Sequence, residues 1–214
     1  MRDLDIENTF KPYDTDKKSH GYLKFYEDAF GKYREKVRSF LEIGVHQGES
    51  LKAWRDYFPN AKIVGAEIRN PKNVKIKNES RISVEFGDAT NENFIEQLIG
   101  KYKSFDIVLD DGSHMSNDMR KTFNLLWNHT NMIYCIEDLG TQYEHLDFPG
   151  RGRKFGQRFI ENFDPFTRDL KNFIDDVMML RTDIFKISFY KWQAYIFKEN
   201  YGSKMERRSI PLGM

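Results

Sequence analysis

The fold turns on the reading of Ser39-Phe40-Leu41-Glu42-Ile43-Gly44-Val45-His46-Gln47-Gly48-Glu49-Ser50. Ser39 to Gly44 reads as a strand. Glu49 to Tyr57 then reads as a helix with Leu51 and Trp54 on one face, stopped by Pro59. The two glycines at the joint allow a sharp turn and the close approach of a ligand. The same strand-then-helix unit recurs along the chain. Ala61 to Ile68 and Arg81 to Phe86 read as strands, the latter with Ile82, Val84 and Phe86 alternating. Asn91 to Ile99 reads as a helix closed by Gly100. Phe105 to Leu109 is a strand, Ser116 to Trp127 a helix carrying Met119, Phe123 and Leu126, and Met132 to Ile136 a strand. Residues 139–155 read as a long loop, and Phe159 to Met179 as a helical pattern interrupted near Pro165. Asp183 to Tyr190 and Trp192 to Lys198 are β-rich runs close enough to pair antiparallel. His20 to Arg38 reads as a helix laid over the rest.

Such alternation predicts an α/β fold. The expectation is a Rossmann-like, doubly wound, mostly parallel seven-stranded sheet with an antiparallel last strand. Residues 1–38 form an expected N-terminal helical cap, and residues 39–214 a single Rossmann-like domain. A chain of 214 residues is long enough for one full core, and its 15% aromatic content argues against disorder. A formal net charge of +1 argues against a nucleic-acid partner. Met1-Arg2-Asp3-Leu4-Asp5 lacks an apolar h-region and no apolar run reaches membrane length, so neither a signal peptide nor a membrane span is expected, and the expected location is the cytoplasm. The single cysteine, Cys135, lies in an apolar run and is expected to be a buried, reduced thiol.

In doubly wound sheets, ligands bind outside the carboxyl ends of the strands. Glu67 ends the second strand 19 residues after Gly48, a spacing at which a carboxylate hydrogen-bonds ribose hydroxyls. Gly87-Asp88 follows the third strand into the same crevice. The glycine pair alone would suggest only a tight turn. With Glu67 and Asp88 it predicts a nucleoside-type cofactor. The glycine spacing does not match the dinucleotide fingerprint Gly-x-Gly-x-x-Gly.

The fourth strand runs into Asp110-Asp111-Gly112-Ser113-His114, and the fifth into Glu137-Asp138. Adjacent strands lie about 4.8 Å apart, so four carboxylates would converge and repel. A divalent cation relieves this, and hard oxygen ligands suit Mg²⁺ or Ca²⁺. The expected ligands are Asp111, Glu137 and Asp138, with Asp110 facing the cofactor. The alternative is that Lys or Arg side chains neutralise the cluster. His114, at the start of a helix beside it, is the expected general base, because an imidazole titrates near neutral pH. His46 and His20 are weaker candidates.

Taken together, these motifs resemble class I S-adenosylmethionine-dependent methyltransferases. More narrowly, they resemble the macrolide-sugar and rhamnosyl O-methyltransferases of mycinamicin and tylosin type and the cephalosporin hydroxylase-like proteins. The matching pieces are Tyr13-Asp14-Thr15-Asp16-Lys17 with His20-Gly21-Tyr22 and Tyr26, Leu41 to Val45, Ser50 to Trp54, Phe105 to His114, and Ile136 to Leu139. Asp14 stands where the family usually has glycine, and Asn128 to Asn131 stand in place of a Pro-Gly-Gly turn. The resemblance implies that Glu42, Gly44, Gly48, Ser50, Glu67, Asp88 and Asp110 bind S-adenosylmethionine. It further implies that Asp111, Glu137 and Asp138 bind Mg²⁺, and that Asp111 and His114 are catalytic. The implied reaction is O-methylation of a sugar hydroxyl on a glycoside, nucleotide sugar or surface polysaccharide, by a homo-oligomer. Three rivals stay open: a catechol-type acceptor, a non-catalytic S-adenosylmethionine-binding partner protein, and a nicotinamide-dependent reductase. Arg151 to Arg158 reads either as a lid over the acceptor or as a solvated loop. Tyr143, Phe148 and Phe155 read as sugar-stacking rings or minor core residues, while Trp54 and Met119 belong to the core.

Overall fold

A computed structural model of the chain describes residues 6–69, 71–76, 79–143, 164–179 and 182–198. The expected lid, with Phe148 and Phe155, lies outside the described residues. Seven strands form one mixed sheet: β1 (Ser39–Ile43), β2 (Lys62–Glu67), β3 (Ile82–Phe86), β4 (Phe105–Asp110), β5 (Thr130–Ile136), β6 (Ile184–Tyr190) and β7 (Gln193–Lys198). Their order is β3-β2-β1-β4-β5-β7-β6. Neighbours among β1 to β5 pair parallel, and β7 runs antiparallel between β5 and β6. Chain order reverses between β1 and β4, and that switch point is where such sheets bind ligands.

Period-2 alternation along the strands divides the core into two layers. On one face, Phe40, Ile107, Leu109, Ile133, Cys135 and Tyr195 pack with Trp54 of α3 (Glu49–Tyr57). On the other, Leu41, Ile43, Val108, Tyr134 and Ile136 pack with Phe123 and Met119 of α5 (Ser116–Leu126). The N-terminal segment joins the first layer. Ile6 and Phe10 of α1 (Ile6–Phe10) and Tyr26 and Phe30 of α2 (Leu23–Phe30) are buried against Trp54 and Tyr195. The Tyr26 and Trp54 rings meet edge to face at 5.0 Å.

Three expectations are corrected. The helix expected over residues 20–38 is shorter: α2 ends at Phe30, and a single 3-10 turn, Gly31–Tyr33, leads toward β1. Gly100 does not close α4 (Glu92–Tyr102); the stop is Lys103, whose φ is +73°. A lysine can hold that conformation when packing fixes the chain on both sides, and nothing in its residue type announces it. The strand expected from Met132 begins earlier, at Thr130. In the last helical stretch, α6 spans Thr167–Met178, after Pro165.

Candidate active site

The same alternation aims the acidic side chains. Glu42 follows Leu41 and therefore points to the face of Phe40, where the N-terminal segment lies. Asp110 and Asp111 are consecutive and point to opposite faces. Glu137 follows Ile136 and so shares the face of Cys135. Asp110 thus meets Tyr134, whose hydroxyl donates to Oδ2 at 3.0 Å. Burial, the largest influence, pushes the Asp110 carboxyl up to about 6, although Tyr134 and the Gly112 N–H pull it down.

Backbone geometry gathers the loops at this end. Gly44 has φ +86°, and a Cβ there would overlap the Asp111 carbonyl oxygen, so the ends of β1 and β4 pass in backbone contact. Gly48 has φ +92° and caps α3; a Cβ would meet Ile76 Cγ1 at 2.6 Å. His46, His114 and Asp138 also have positive φ, half of the six such non-glycine residues described. Residues held in this region cluster where surrounding structure fixes a functional geometry.

A cavity of about 890 Å³ opens over the carboxyl ends of β1 to β4, walled by the Gly44–Gly48 turn, Glu67, Asp88, Asp111 and His114. Ser50 and Asp110 also line it. Glu67 accepts the backbone N–H of His46 at 2.7 Å and of Arg69 at 2.8 Å, which fixes its carboxylate at the rim. Asp88 accepts both the N–H and the hydroxyl of Thr90 at 2.8 Å. Glu42 is not among the residues that line the cavity. It is wholly buried behind the cavity wall, where it accepts Ser50 Oγ at 2.7 Å and pairs with Lys17. Through Ser50 it supports the start of α3.

The cluster has a partner that the sequence reading did not assign. Lys17 Nζ lies 2.7 Å from Asp111 Oδ2, 3.0 Å from Glu137 Oε1 and 3.2 Å from Glu42 Oε1, with its side chain 2% exposed. Burial alone would lower its pKa. Asp111, Glu137 and Glu42 outweigh that and hold the ammonium well above the ordinary lysine value. Tyr22 donates its hydroxyl to Asp138 Oδ1, and Tyr26 donates to Glu137 Oε1. These tyrosines are four residues apart at the start of and within α2, so one helix face delivers both. The expected ligands Asp111, Glu137 and Asp138 thus each commit one oxygen to the N-terminal segment.

The remaining oxygens of Asp111 and Asp138 turn toward His114. Nε2 lies 3.6 Å from Asp138 Oδ2 and 3.9 Å from Asp111 Oδ1. One potential ligand atom from each of Asp111, His114 and Asp138 falls within a span of 4.8 Å. Glu137 lies deeper, 2% exposed, with Oε1 held by Lys17 and Tyr26. The His114 carbonyl accepts the Gln142 amide at 2.8 Å, tying the loop to the 3-10 turn Leu139–Gln142. The donor chemistry fits a hard divalent ion held by one oxygen from each carboxylate, because one ammonium cannot neutralise four carboxylates. The alternative of lysine neutralisation is therefore realised only in part. His20 stacks edge to face on Tyr22 and stands outside this group. Tyr143 is half exposed, and Trp54 is fully buried, as expected of a core residue.

No family model matches the chain. Mycinamicin VI 2''-O-methyltransferase of Micromonospora griseorubida is 35% identical over 142 residues, covering 62% of this chain and 34% of that protein. Demethylmacrocin O-methyltransferase of Streptomyces fradiae is 34% identical over 142 residues, with shares of 62% and 34%. A tetracenomycin rhamnosyl 3'-O-methyltransferase of Streptomyces olivaceus is 33% identical over 133 residues, covering 58% of this chain and 33% of that protein. The chain spans about a third of the length of these curated relatives. Among solved structures, MycE methyltransferase from the mycinamycin biosynthetic pathway, in complex with Mg and SAH, superposes with TM-score 0.79 at 29% identity. That match covers 99% of this chain and 58% of that one. These relatives are O-methyltransferases, one of them named for a rhamnosyl compound, and the seven-stranded fold is that of MycE. No helix of the described residues is long and apolar enough to cross a membrane.

Proposed function

We propose that this chain is an S-adenosylmethionine- and Mg²⁺-dependent O-methyltransferase acting on a hydroxyl of a sugar. The observation that carries the reading is the meeting of Asp111 and Asp138 at His114, with Glu137 buried behind them on the shared Lys17, beside a cavity walled by Asp111, His114, Glu67 and Asp88. Similarity to the mycinamicin and tetracenomycin enzymes, and to MycE in complex with Mg and SAH, supports it.

S-adenosylmethionine supplies a methyl already activated on a sulfonium. Glu67 would hold its ribose, Asp88 would serve its base, and the Gly44–Gly48 turn would give the backbone access to its polar end. Asp111, Glu137 and Asp138 would hold Mg²⁺, which lowers the pKa of the acceptor hydroxyl and fixes its place. His114 takes the hydroxyl proton at Nε2, the atom facing the carboxylates. The oxygen–methyl bond forms as the sulfur–methyl bond breaks, with the electron pair leaving on sulfur. Alignment supplies much of the acceleration, since the donor needs no covalent help. Cys135, a buried free thiol, accords with a reducing compartment, and the reading places the enzyme in the cytoplasm.

Radiolabelled methyl transfer from S-adenosylmethionine to a panel of rhamnosides, deoxysugar glycosides and catechols tests the reading. Transfer to glycosides with Mg²⁺, and its loss in EDTA, is expected. Catechol methylation with no glycoside product, or transfer indifferent to EDTA, would overturn it.

A further inference from the structure

Lys17 is the one cation described within contact distance of Asp111 or Glu137, and it reaches them from a separate part of the chain. Its backbone is pinned where it leaves: the Tyr22 N–H donates to the Lys17 carbonyl at 3.1 Å, across a turn in which Gly21 has φ +74°. The next two donors on that segment, Tyr22 and Tyr26, grip Asp138 and Glu137. The ammonium is therefore built into the site rather than swept into it from a flexible surface.

We propose that Lys17 is a resident cation that weakens the site's hold on its divalent ion and keeps coordination positions open for the acceptor. The inference rests on the reading that an ion binds here, and concerns how tightly and through how many carboxylates. A dication on the free oxygen of Asp111 would share that carboxylate with a lysine charge 2.7 Å from the other oxygen. Two positive charges that close repel, and burial leaves little water to screen them. Without the ammonium, Glu42, Asp111 and Glu137 would form an all-oxygen nest whose charge nothing offsets. An ion would be captured there more tightly, with more of its coordination sphere filled by protein. Glu42 shows what the lysine prevents: it is buried, faces this nest, and is held by Lys17 and Ser50 instead. Lys17 lines the cavity wall with its ammonium held by these carboxylates, and through them its role is positioning.

The test is Mn²⁺ binding to the full chain without donor or acceptor, read as loss of the free-ion electron paramagnetic resonance signal. Wild type is compared with Lys17→Gln, which keeps a hydrogen-bond donor without the charge, and with Lys17→Arg, which keeps the charge. Lys17→Gln is expected to bind Mn²⁺ about tenfold or more tightly than wild type, while Lys17→Arg stays near it. Equal or weaker binding by Lys17→Gln overturns the proposal and leaves the ion reading standing. Tight binding by Lys17→Arg also overturns it, because charge would not be the cause. Absence of Mn²⁺ binding in all three overturns both. Thermal unfolding covers a variant that folds poorly. A Lys17→Gln protein restored by Mn²⁺, with a rise in Tm larger than wild type shows, supports the role. One still unfolded in excess Mn²⁺ contradicts it.

Discussion

His114 sits at φ +61°, a backbone state that a residue with a Cβ adopts only under constraint from its surroundings. The constraint here is the Gln142 amide on its carbonyl, and the result is an imidazole 3.6 Å from Asp138 and 3.9 Å from Asp111. An imidazole so placed can take a proton from a hydroxyl bound between those carboxylates. Replacing His114 by Asn keeps a polar side chain of tolerable backbone preference and removes the base. We expect kcat to fall by about 10² to 10⁴ while calorimetry shows S-adenosylmethionine affinity unchanged. A variant with wild-type kcat would remove the base assignment. At this scale the sequence announces the acids and the histidine because they stand at strand ends, where function concentrates. It conceals the job of Lys17, Tyr22 and Tyr26. Their hydrogen bonds to Asp111, Asp138 and Glu137 span 94 residues or more of chain, and no local pattern marks a lysine as buried. The spacing of Tyr22 and Tyr26, four apart on one helical face, was the available signal.

At the scale of elements, the site depends on how closely β1 and β4 pass. Gly44 permits this: its φ of +86° and the Asp111 carbonyl against its Cα leave no room for a side chain. Gly44→Ala should therefore push the two strand ends apart. We expect a stability loss of at least about 2 kcal/mol in urea unfolding, with parallel loss of S-adenosylmethionine affinity. Gly48→Ala carries its own backbone strain at φ +92° but meets the side chains of Ile76 and Val74 rather than backbone, and should cost less. Equal, small effects at both positions would contradict the backbone-contact account. The five parallel strands and the antiparallel pair at the end were legible because apolar runs of five to seven residues alternate with amphipathic helical windows. Helix ends were less so. Gly100 looks like a stop, yet the helix continues to Tyr102, because packing of Leu98 and Ile99 against the sheet outweighs a glycine's modest cost. The short α1 has too few residues to show a period, and its Ile6 and Phe10 join a core in which Phe10 packs on the Trp54 ring.

For the whole molecule, the sheet does two things at one edge. Order reversal between β1 and β4 opens a crevice in which the proposed nucleoside-type donor would sit, and parity along β4 and β5 sends Asp111 and Glu137 to the face covered by residues 6–37. The N-terminal segment is thus part of the site as well as of the core: it seats aromatic rings on Trp54 and supplies the three donors that orient the carboxylates. The central claim is that an ion on those carboxylates lies next to the transferable methyl. Nuclear magnetic resonance of S-adenosylmethionine carrying ¹³C on that methyl, bound to the protein, measures this directly when Mn²⁺ replaces Mg²⁺. The account predicts that Mn²⁺ broadens the methyl signal away, that Mg²⁺ leaves it sharp, and that an Asp111→Asn, Asp138→Asn variant keeps it sharp with either ion. A methyl signal that stays sharp in saturating Mn²⁺ with wild-type protein would contradict it.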